Sequence, residues 1–357
     1  MTTDLLYVSD LDEGLRRVGK GTRTRYLDAS GRAVTEEATL ARIRSLAIPP
    51  AWRDVWICAH AQGHLQAVGR DARGRKQYRY HADWRRRRDA EKHRRALLLA
   101  RRLPRIREAA ERDLRRQGMP REKVLALVVR LLELTHLRVG NREYERLNGT
   151  FGLTTLRDRH AHVRGDRVRF RFRAKSGKVH EVGIRDRRLA RLIRRIQELR
   201  GQRLFEYLDE EGTRREVRSE DVNAYLREVS GADITAKDLR TWAGTVMAFR
   251  ALRAAPPGER DVENRRTVAR AVVKVSESLG NTPAVTRASY VDPAIIDAWE
   301  SGAVARVRGV APDADVAPGP PTPDEEAAVR RVLERQARLE RRQSARRRGG
   351  RSGRWRR

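Results

Sequence analysis

Lys123-Val-Leu-Ala-Leu-Val-Val-Arg-Leu-Leu-Glu-Leu134 is apolar nearly all the way round a helical projection. A helix without a polar face belongs inside a protein, so this stretch predicts a buried helix at the heart of a mainly helical region. On its N-terminal side, the strongly basic run from Arg85 to Arg107 continues the helical composition. Before that the pattern changes. From about Gly31 to Tyr80 the chain reads as strand-bearing, with apolar and polar residues alternating in Val55-Trp56-Ile57-Cys58-Ala59 and in Leu65-Gln66-Ala67-Val68. Ile48-Pro49-Pro50-Ala51-Trp52 cannot continue a helix, Ala61-Gln62-Gly63-His64 joins two strands, and Asp71-Ala72-Arg73-Gly74 is a polar bend.

On the C-terminal side an isolated β element is expected. His162-Val-Arg-Gly165-Asp166-Arg-Val168 is hairpin-like, and Val168, Phe170 and Phe172 alternate with Arg167, Arg169, Arg171 and Arg173, which makes one face core and the other positive. Lys175-Ser-Gly-Lys178 turns the chain into a second alternating strand, Val179 to Ile184. Helical periodicity resumes over Arg185–Leu199, Ser219–Val229, Thr235–Leu252 and Asp261–Leu279. After Gly302 the character changes again. Pro312 to Pro323 reads as a linker, Asp324 to Arg342 as a helix with solvated charges, and residues 341–357, with nine Arg and no acid, as a tip that stays disordered until it meets phosphate. The expected fold is therefore α+β, with a β-rich N-terminal domain (1–85), a larger mainly α-helical domain with a small β-sheet (86–305), and a Pro-rich linker and basic tail (306–357).

A chain of 357 residues suits two domains and a tail. Lys and Arg number 80 against 48 Asp and Glu, a net charge of +32 that favours a polyanionic partner. Hydrophobic residues at 39% are enough for a core, which argues against disorder throughout. Cys58 is the single cysteine, so no disulfide framework or cysteine metal site is expected and a reducing cytoplasm fits. No stretch approaches the ~20 apolar residues of a membrane span, and Met1 to Asp12 has no long apolar core, so neither a membrane nor an export route is expected.

Cutting a DNA strand without a metal requires a nucleophile, cations for the non-bridging phosphate oxygens, and an acid for the departing 5′ oxygen. Two Arg, one Lys and one Tyr supply these. Arg offers the phosphate a planar fork and a permanent charge, Lys can deliver a proton, and Tyr, with a free pKa of about 10, becomes a usable nucleophile beside positive charge. The segments carrying such residues read Thr135-His-Leu-Arg138-Val-Gly-Asn-Arg-Glu-Tyr144, then Ala174-Lys175-Ser-Gly-Lys178, then Lys237-Asp-Leu-Arg240-Thr-Trp-Ala-Gly-Thr245, then Leu279-Gly-Asn281-Thr-Pro-Ala-Val-Thr-Arg-Ala-Ser-Tyr290. Judged singly, each of these residues has an ordinary structural reading as a helix, turn or packing residue; the joint order is what carries weight.

In that order the series resembles the small poxvirus-like type IB DNA topoisomerases of bacteria, from roughly Gly14 to Gly302. The resemblance implies that Arg138 and Arg240 clamp the scissile phosphate, that Lys175 is the general acid at the 5′ oxygen, and that Tyr290 forms a 3′-phosphotyrosyl link, relaxing supercoils of either sign without metal or ATP. It implies no cofactor, double-stranded DNA as partner, a monomer, and a cytoplasmic, nucleoid-associated protein. One departure stands out. The family often carries His where this chain has Asn281, nine residues before the tyrosine. An Asn amide can donate to a phosphate oxygen but offers no imidazolium, and Asn281 also reads as part of a helix stop, Leu279-Gly-Asn281-Thr-Pro283. Lys237 and Arg240, three apart, share a helical face with Thr241 and the small Gly244, opposite Leu239, Trp242, Ala243 and Val246.

The N-terminal module offers its own contacts in Arg73-Gly-Arg75-Lys76-Gln77-Tyr78-Arg79-Tyr80. Basic residues hold phosphates and Gln77 can pair bidentately with adenine in the major groove. This segment resembles the one by which the poxvirus enzymes contact DNA, and Tyr144 matches a further DNA-contacting tyrosine. Arg75, Lys76, Gln77, Tyr78, Tyr80, Tyr144 and Lys237 are thus the expected DNA contacts, on two lobes forming a clamp around the duplex. Two other readings stay open at this stage. A tyrosine recombinase uses the same residue types, although His-x-x-Arg is usual where this chain has Lys237-Asp-Leu-Arg240; a non-enzymatic nucleoid or RNA-binding protein would use the cations only to neutralise phosphate. A metal nuclease has no clustered Asp, Glu or His with ligand spacing to support it, and His136, His160 and His162 read as structural or surface residues.

Overall fold

The computed structural model describes residues 4–19, 21–72, 74–198, 201–307 and 319–352, with the side chains at 22, 90, 93, 144, 176, 340 and 343–352 excepted. Arg73 and the side chain of Tyr144 therefore lie outside the described residues, as does most of the Pro-rich stretch. The chain divides into two compact units, Met1–Lys92 and His93–Arg357.

In the first unit, β1 (Gly14–Val18), β2 (Arg25–Leu27), β3 (Arg53–Cys58), β4 (Leu65–Arg70) and β5 (Lys76–Tyr80) form an antiparallel sheet in the order β2-β1-β3-β4-β5. The β3–β4 and β4–β5 connections fall where the turn residues predict them. Between β2 and β3 the chain forms a helix, α1 (Glu37–Ser45), inside the stretch read from sequence as strand-bearing. Only Ile43 of α1 is fully buried, joining Leu15, Val55, Ile57 and Ala67 in a small core, so the helix leaves too short an apolar stripe for its period to register.

The second unit is mainly helical. The helix α2 (Ala82–Leu114) carries the chain across the boundary between units and is followed by α3 (Arg121–Thr135) and α4 (Arg142–Asn148). The stretch that is apolar on all sides is α3, and Val124 to Val129 and Leu131 are fully buried. Each such burial is worth roughly 1.5–3 kcal/mol relative to exposure. Lys123, at the start of this run, is accommodated because its ammonium donates to the Arg116 carbonyl at 2.5 Å. Three antiparallel strands come next, β6 (Ala161–Arg164), β7 (Arg167–Arg173) and β8 (Val179–Arg185), with β7 in the centre. As the alternation predicts, Val168, Phe170 and Phe172 are buried and the four arginines of β7 are exposed.

After α5 (Arg187–Gln197) and a short hairpin of β9 (Glu206–Leu208) and β10 (Arg214–Glu216) come α6 (Ser219–Ser230), α7 (Ala236–Arg253), α8 (Asp261–Leu279), α9 (Pro283–Tyr290), α10 (Pro293–Glu300) and α11 (Pro323–Ser352). The central member is α7, which packs against α3, α6, α8, α9, α10 and α11. Among the described residues no helix is long and apolar enough to cross a membrane.

The C-terminal helix departs from its expected description. Its first turns are built into the core: Ala328, Val329, Val332 and Leu333 are buried, and so are Glu325 and Glu326. Glu325 receives the Arg250 guanidinium, Glu326 receives Arg107 at 2.7 and 2.9 Å, and the Trp242 indole N–H donates to Glu326 at 3.1 Å. Acidic residues in a helix's first turn read as a solvated, dipole-favoured start; here two arginines from other helices pull them inward instead. The helix also runs on through residues 341–352, where the Arg-rich composition suggested disorder, because Arg, Gln and Ala are good helix formers and no proline interrupts them.

Candidate active site

Arg138 follows α3 directly. That helix ends at His136, which takes the left-handed conformation at φ 53 and donates its N–H to the Leu132 carbonyl at 3.0 Å. The chain then runs extended, pinned by Leu153 N–H to the Arg138 carbonyl at 2.8 Å and Thr154 N–H to the Val139 carbonyl at 2.7 Å. The Arg138 guanidinium thus starts from a fixed backbone and donates through Nη2 to Oδ1 of Asn281.

Asn281 lies just beyond α8. Gly280 closes that helix in the left-handed conformation (φ 58) and the Asn281 N–H donates to the Ser276 carbonyl at 2.9 Å. The helix-stop reading of Asn281 is seen in its backbone, and its side chain faces Arg138. With Oδ1 occupied, its Nδ2 is buried and has no protein partner.

Arg240 sits on α7, 5% exposed, and donates through Nη2 to the Leu279 carbonyl at the C-terminal end of α8. Its Nε is likewise buried without a partner. Burial, and then the charge of Arg138, pull the Arg240 pKa down to about 10, against its interaction with Tyr290, which raises it. The Tyr290 ring centroid lies 5.1 Å from the Arg240 Cζ, within cation–π range.

Tyr290 is the last residue of α9, which Thr282 caps and Pro283 starts. Two contacts with α7 fix it. A Cβ on Gly244 would lie 2.4 Å from the Tyr290 carbonyl oxygen, so only glycine lets the two backbones approach this closely. Two residues beyond the tyrosine, the Asp292 N–H donates to Thr245 Oγ1 at 3.2 Å. The small-residue face of α7 around Gly244 therefore receives the tyrosine backbone.

Four sequence-selected residues from three separate segments form two contacting pairs, Arg138 with Asn281 and Arg240 with Tyr290, and Arg240 also holds the Leu279 carbonyl two residues before Asn281. Among the described residues neither arginine has a carboxylate partner; each is held by a neutral acceptor. Lys175 is exposed on the single helical turn Lys175–Gly177 that joins β7 to β8, and none of these contacts runs through it. Lys237 is exposed on the first turn of α7.

Two histidines lie near the cluster, His136, read from sequence as structural or surface, and His180, which the sequence did not single out. His136 is buried and its pKa is depressed to about 4, first by burial and then by Arg240 and Arg250, so the ring is neutral near pH 7. His180 on β8 is likewise pushed down by burial and then by Arg240 and Arg138. The alternation of β8, with His180, Val182 and Ile184 on one face, was the signal that could have pointed to it.

In the first unit, Lys76, Tyr78 and Tyr80 share the more exposed face of the edge strand β5, whereas Gln77 and Arg79 face the other way. The rings of Tyr78 and Tyr80 are near parallel, 15° apart with centroids at 6.1 Å. Lys76 pairs with Asp10 at 2.6 Å and Arg75 with Asp71 at 2.7 Å. Gln77 also donates to Asp71, at 3.0 Å. The expected contacts thus fall on two faces, with Arg75 and Gln77 tied to one carboxylate.

Comparisons with known proteins identify the chain's family. A family model described as the eukaryotic DNA topoisomerase I catalytic core matches residues 81–299, and one described as the bacterial DNA topoisomerase IB N-terminal domain matches residues 23–71. A protein named DNA topoisomerase 1B from Acanthamoeba polyphaga mimivirus is 30% identical over 289 residues, spanning 79% of this chain and 86% of the viral one. Among the described residues, no group of three or more His, Cys, Asp or Glu side chains is arranged to hold a metal ion.

Proposed function

The chain belongs to the type IB DNA topoisomerase family, and we propose that it relaxes positive and negative supercoils through a transient 3′-phosphotyrosyl nick. The observation that carries this reading is the convergence of Arg138, Arg240, Asn281 and Tyr290 with the donors Arg240 Nε and Asn281 Nδ2 left buried and unpaired. Buried donors normally find partners. Two that point to none, beside two arginines without carboxylates, suit an anionic ligand such as a phosphodiester.

In the proposed reaction a phosphodiester docks between Arg138 and Arg240, and Asn281 Nδ2 and Arg240 Nε take non-bridging oxygens. The Tyr290 oxygen attacks phosphorus and releases its proton to solvent. The P–O5′ bond breaks, and Lys175 gives the departing 5′ oxygen a proton. The loop between β7 and β8 carries Lys175 on an exposed tip that can enter a groove. Negative charge that builds on the non-bridging oxygens is met by donors already in place, so little reorganisation is required in the transition state. The nicked end then swivels, and attack of the 5′ hydroxyl on the phosphotyrosine reverses the step. The phosphotyrosyl link keeps the phosphodiester's energy, which makes a nucleotide or metal unnecessary.

The remaining expectations belong to the same proposal: a DNA-binding N-terminal domain using Arg75, Lys76, Gln77, Tyr78 and Tyr80, a catalytic domain with Tyr144 and Lys237 as further contacts, enclosure of the duplex as a clamp, and a monomer working on nucleoid DNA in the cytoplasm. The family match spanning residues 81–299 favours this over the recombinase and the purely DNA-neutralising readings. The test is relaxation of negatively supercoiled plasmid in EDTA without ATP, with denaturant trapping. Relaxation and a 3′-linked adduct, both lost in Tyr290→Phe while DNA binding remains, are expected. A plasmid left supercoiled by the wild type, or relaxed equally by the variant, overturns the assignment.

A further inference from the structure

The ring of His180 lies against the turn that carries Asn281. A Cβ built on Gly280 would stand 2.7 Å from His180 Cε1 and 2.8 Å from Nδ1, so the imidazole occupies the space that any side chain at residue 280 would need. The left-handed φ of 58° at Gly280 favours glycine independently. On its other side the ring meets Phe172 of β7, centroids 5.9 Å apart. His180 is thus wedged between the β-sheet and the end of α8, next to the residue whose Oδ1 holds Arg138. It comes from β8, the strand that leaves the Lys175 turn.

We propose that His180 is a positioning residue for cleavage: by bracing the Gly280–Asn281 turn it sets where Asn281 Nδ2 points and where the Arg138 guanidinium rests. The inference builds on the catalytic reading above. Three observations fit a bracing ring. His180 has no side-chain hydrogen bond to another described residue, so its contribution to the turn is made through packing. Burial and the nearby Arg240 and Arg138 disfavour its charged form, so it packs as a neutral ring. Asn281 has its Oδ1 committed to Arg138 and its Nδ2 unpaired, so a small rotation of the turn moves a phosphate donor and an arginine together.

A displacement of about 1 Å at reacting groups can cost on the order of 100-fold in rate. His180→Ala is therefore expected to slow the formation of denaturant-trapped adduct on plasmid DNA by roughly 10- to 100-fold under enzyme excess. Noncovalent plasmid affinity, measured in a Tyr290→Phe background, should change by less than about threefold, since phosphate contacts spread over many arginines dominate binding. His180→Phe, which keeps a planar ring, should recover most of the lost rate. Because the effect runs through Asn281, adding His180→Ala to Asn281→Ala should cost little more than Asn281→Ala alone, a non-additivity that a general loss of fold would not produce.

If His180→Ala is too unstable to assay, His180→Leu, which keeps bulk without a planar ring, takes its place in the same cycle. A His180→Ala enzyme that cleaves at the wild-type rate, a folded His180→Phe as slow as the alanine variant, or additive losses with Asn281→Ala each overturn the proposal while leaving the catalytic reading intact. No adduct from the wild-type protein removes the catalytic reading itself, and this inference with it.

Discussion

Replacing Glu326 with alanine removes, in one step, the acceptor shared by Arg107 and the Trp242 indole. Arg107 keeps Glu133 at 2.8 Å but loses both of its bonds to Glu326, and the Trp242 N–H, on a 3% exposed side chain, loses its partner. Removing one partner of a fully buried ion pair costs about 3–5 kcal/mol. The Arg107 side chain is 32% exposed and retains one carboxylate, which lowers that figure, while an unpaired buried N–H adds about 1–3 kcal/mol. The two contributions overlap, and a net loss of about 3 kcal/mol is expected. At roughly 2–4 °C per kcal/mol for domains of 150–250 residues, the second unit's melting temperature should fall by about 6–12 °C. Thermal unfolding at neutral pH measures this, and the difference should persist at high salt because partly buried pairs are screened little. Trp242 lies two residues from Arg240 on α7, so adduct formation should fall as well. A melting temperature within 1 °C of wild type would show that α11 does not dock on the catalytic unit in solution and that its acidic first turn is solvated after all.

Gly244→Ala places a Cβ 2.4 Å from the Tyr290 carbonyl oxygen and 3.2 Å from its Cβ. Backbone must move, so a stability loss of about 1–3 kcal/mol and a fall in adduct formation on the order of 100-fold are expected; near wild-type cleavage would mean that Tyr290 is not held against α7 during the reaction. His136 supplies a pH dependence. Its folded pKa, about 4, lies below the ordinary 6.5, so its contribution to stability is complete above pH 6.5 and is lost as pH falls toward 4, by up to about 3 kcal/mol. His136→Asn, which tolerates the left-handed backbone at that position, should flatten the change in chemical-denaturation stability between pH 7 and pH 4.5; an unchanged slope would show that His136 does not titrate with unfolding.

The sequence made α3, the β6–β7–β8 sheet and the span of α8 legible because each has one dominant pattern: an apolar helix, a period-two strand, and a periodic run ended by Leu279-Gly280-Asn281. It misread α1, whose single buried Ile43 sets no period, and the start of α11, where Glu325 and Glu326 are polar in sequence yet buried through Arg250 and Arg107, residues 75 and 219 positions away. Local patterns report a residue's own preference for water; they do not reveal a distant partner that makes burial tolerable. The same limit applies at the site. Arg138, Arg240, Asn281 and Tyr290 could be selected because their local contexts were distinctive in order, whereas His180 lies in a strand that the sequence did show but has no distinctive context there, and gains its significance only from the turn against which it packs.

How two guanidinium groups are held together without a carboxylate bears on what the cluster is for. Elsewhere in the second unit arginines bury themselves with acids: Arg95 with Asp238, Arg203 with Glu145, Arg250 with Glu325. A carboxylate between Arg138 and Arg240 would stabilise the DNA-free fold in the same way, but in the proposed reaction it would neutralise the field that attracts a phosphodiester and stand in its place. The chain uses neutral acceptors instead. Arg138 rests on the Asn281 amide oxygen, and Arg240 on the Leu279 carbonyl and the face of Tyr290. That carbonyl belongs to the C-terminal end of α8, where the helix dipole presents partial negative charge. Partial charges keep the arginines in place without cancelling them, and burial first, then the charge of Arg138, lowers the Arg240 pKa. In the proposed complex a phosphate between the two guanidinium groups would offset the repulsion between them. Asn at position 281 fits this logic: it supplies a neutral oxygen to Arg138, which a positively charged imidazolium could not do, and its Nδ2 is left for the phosphate of the proposed reaction.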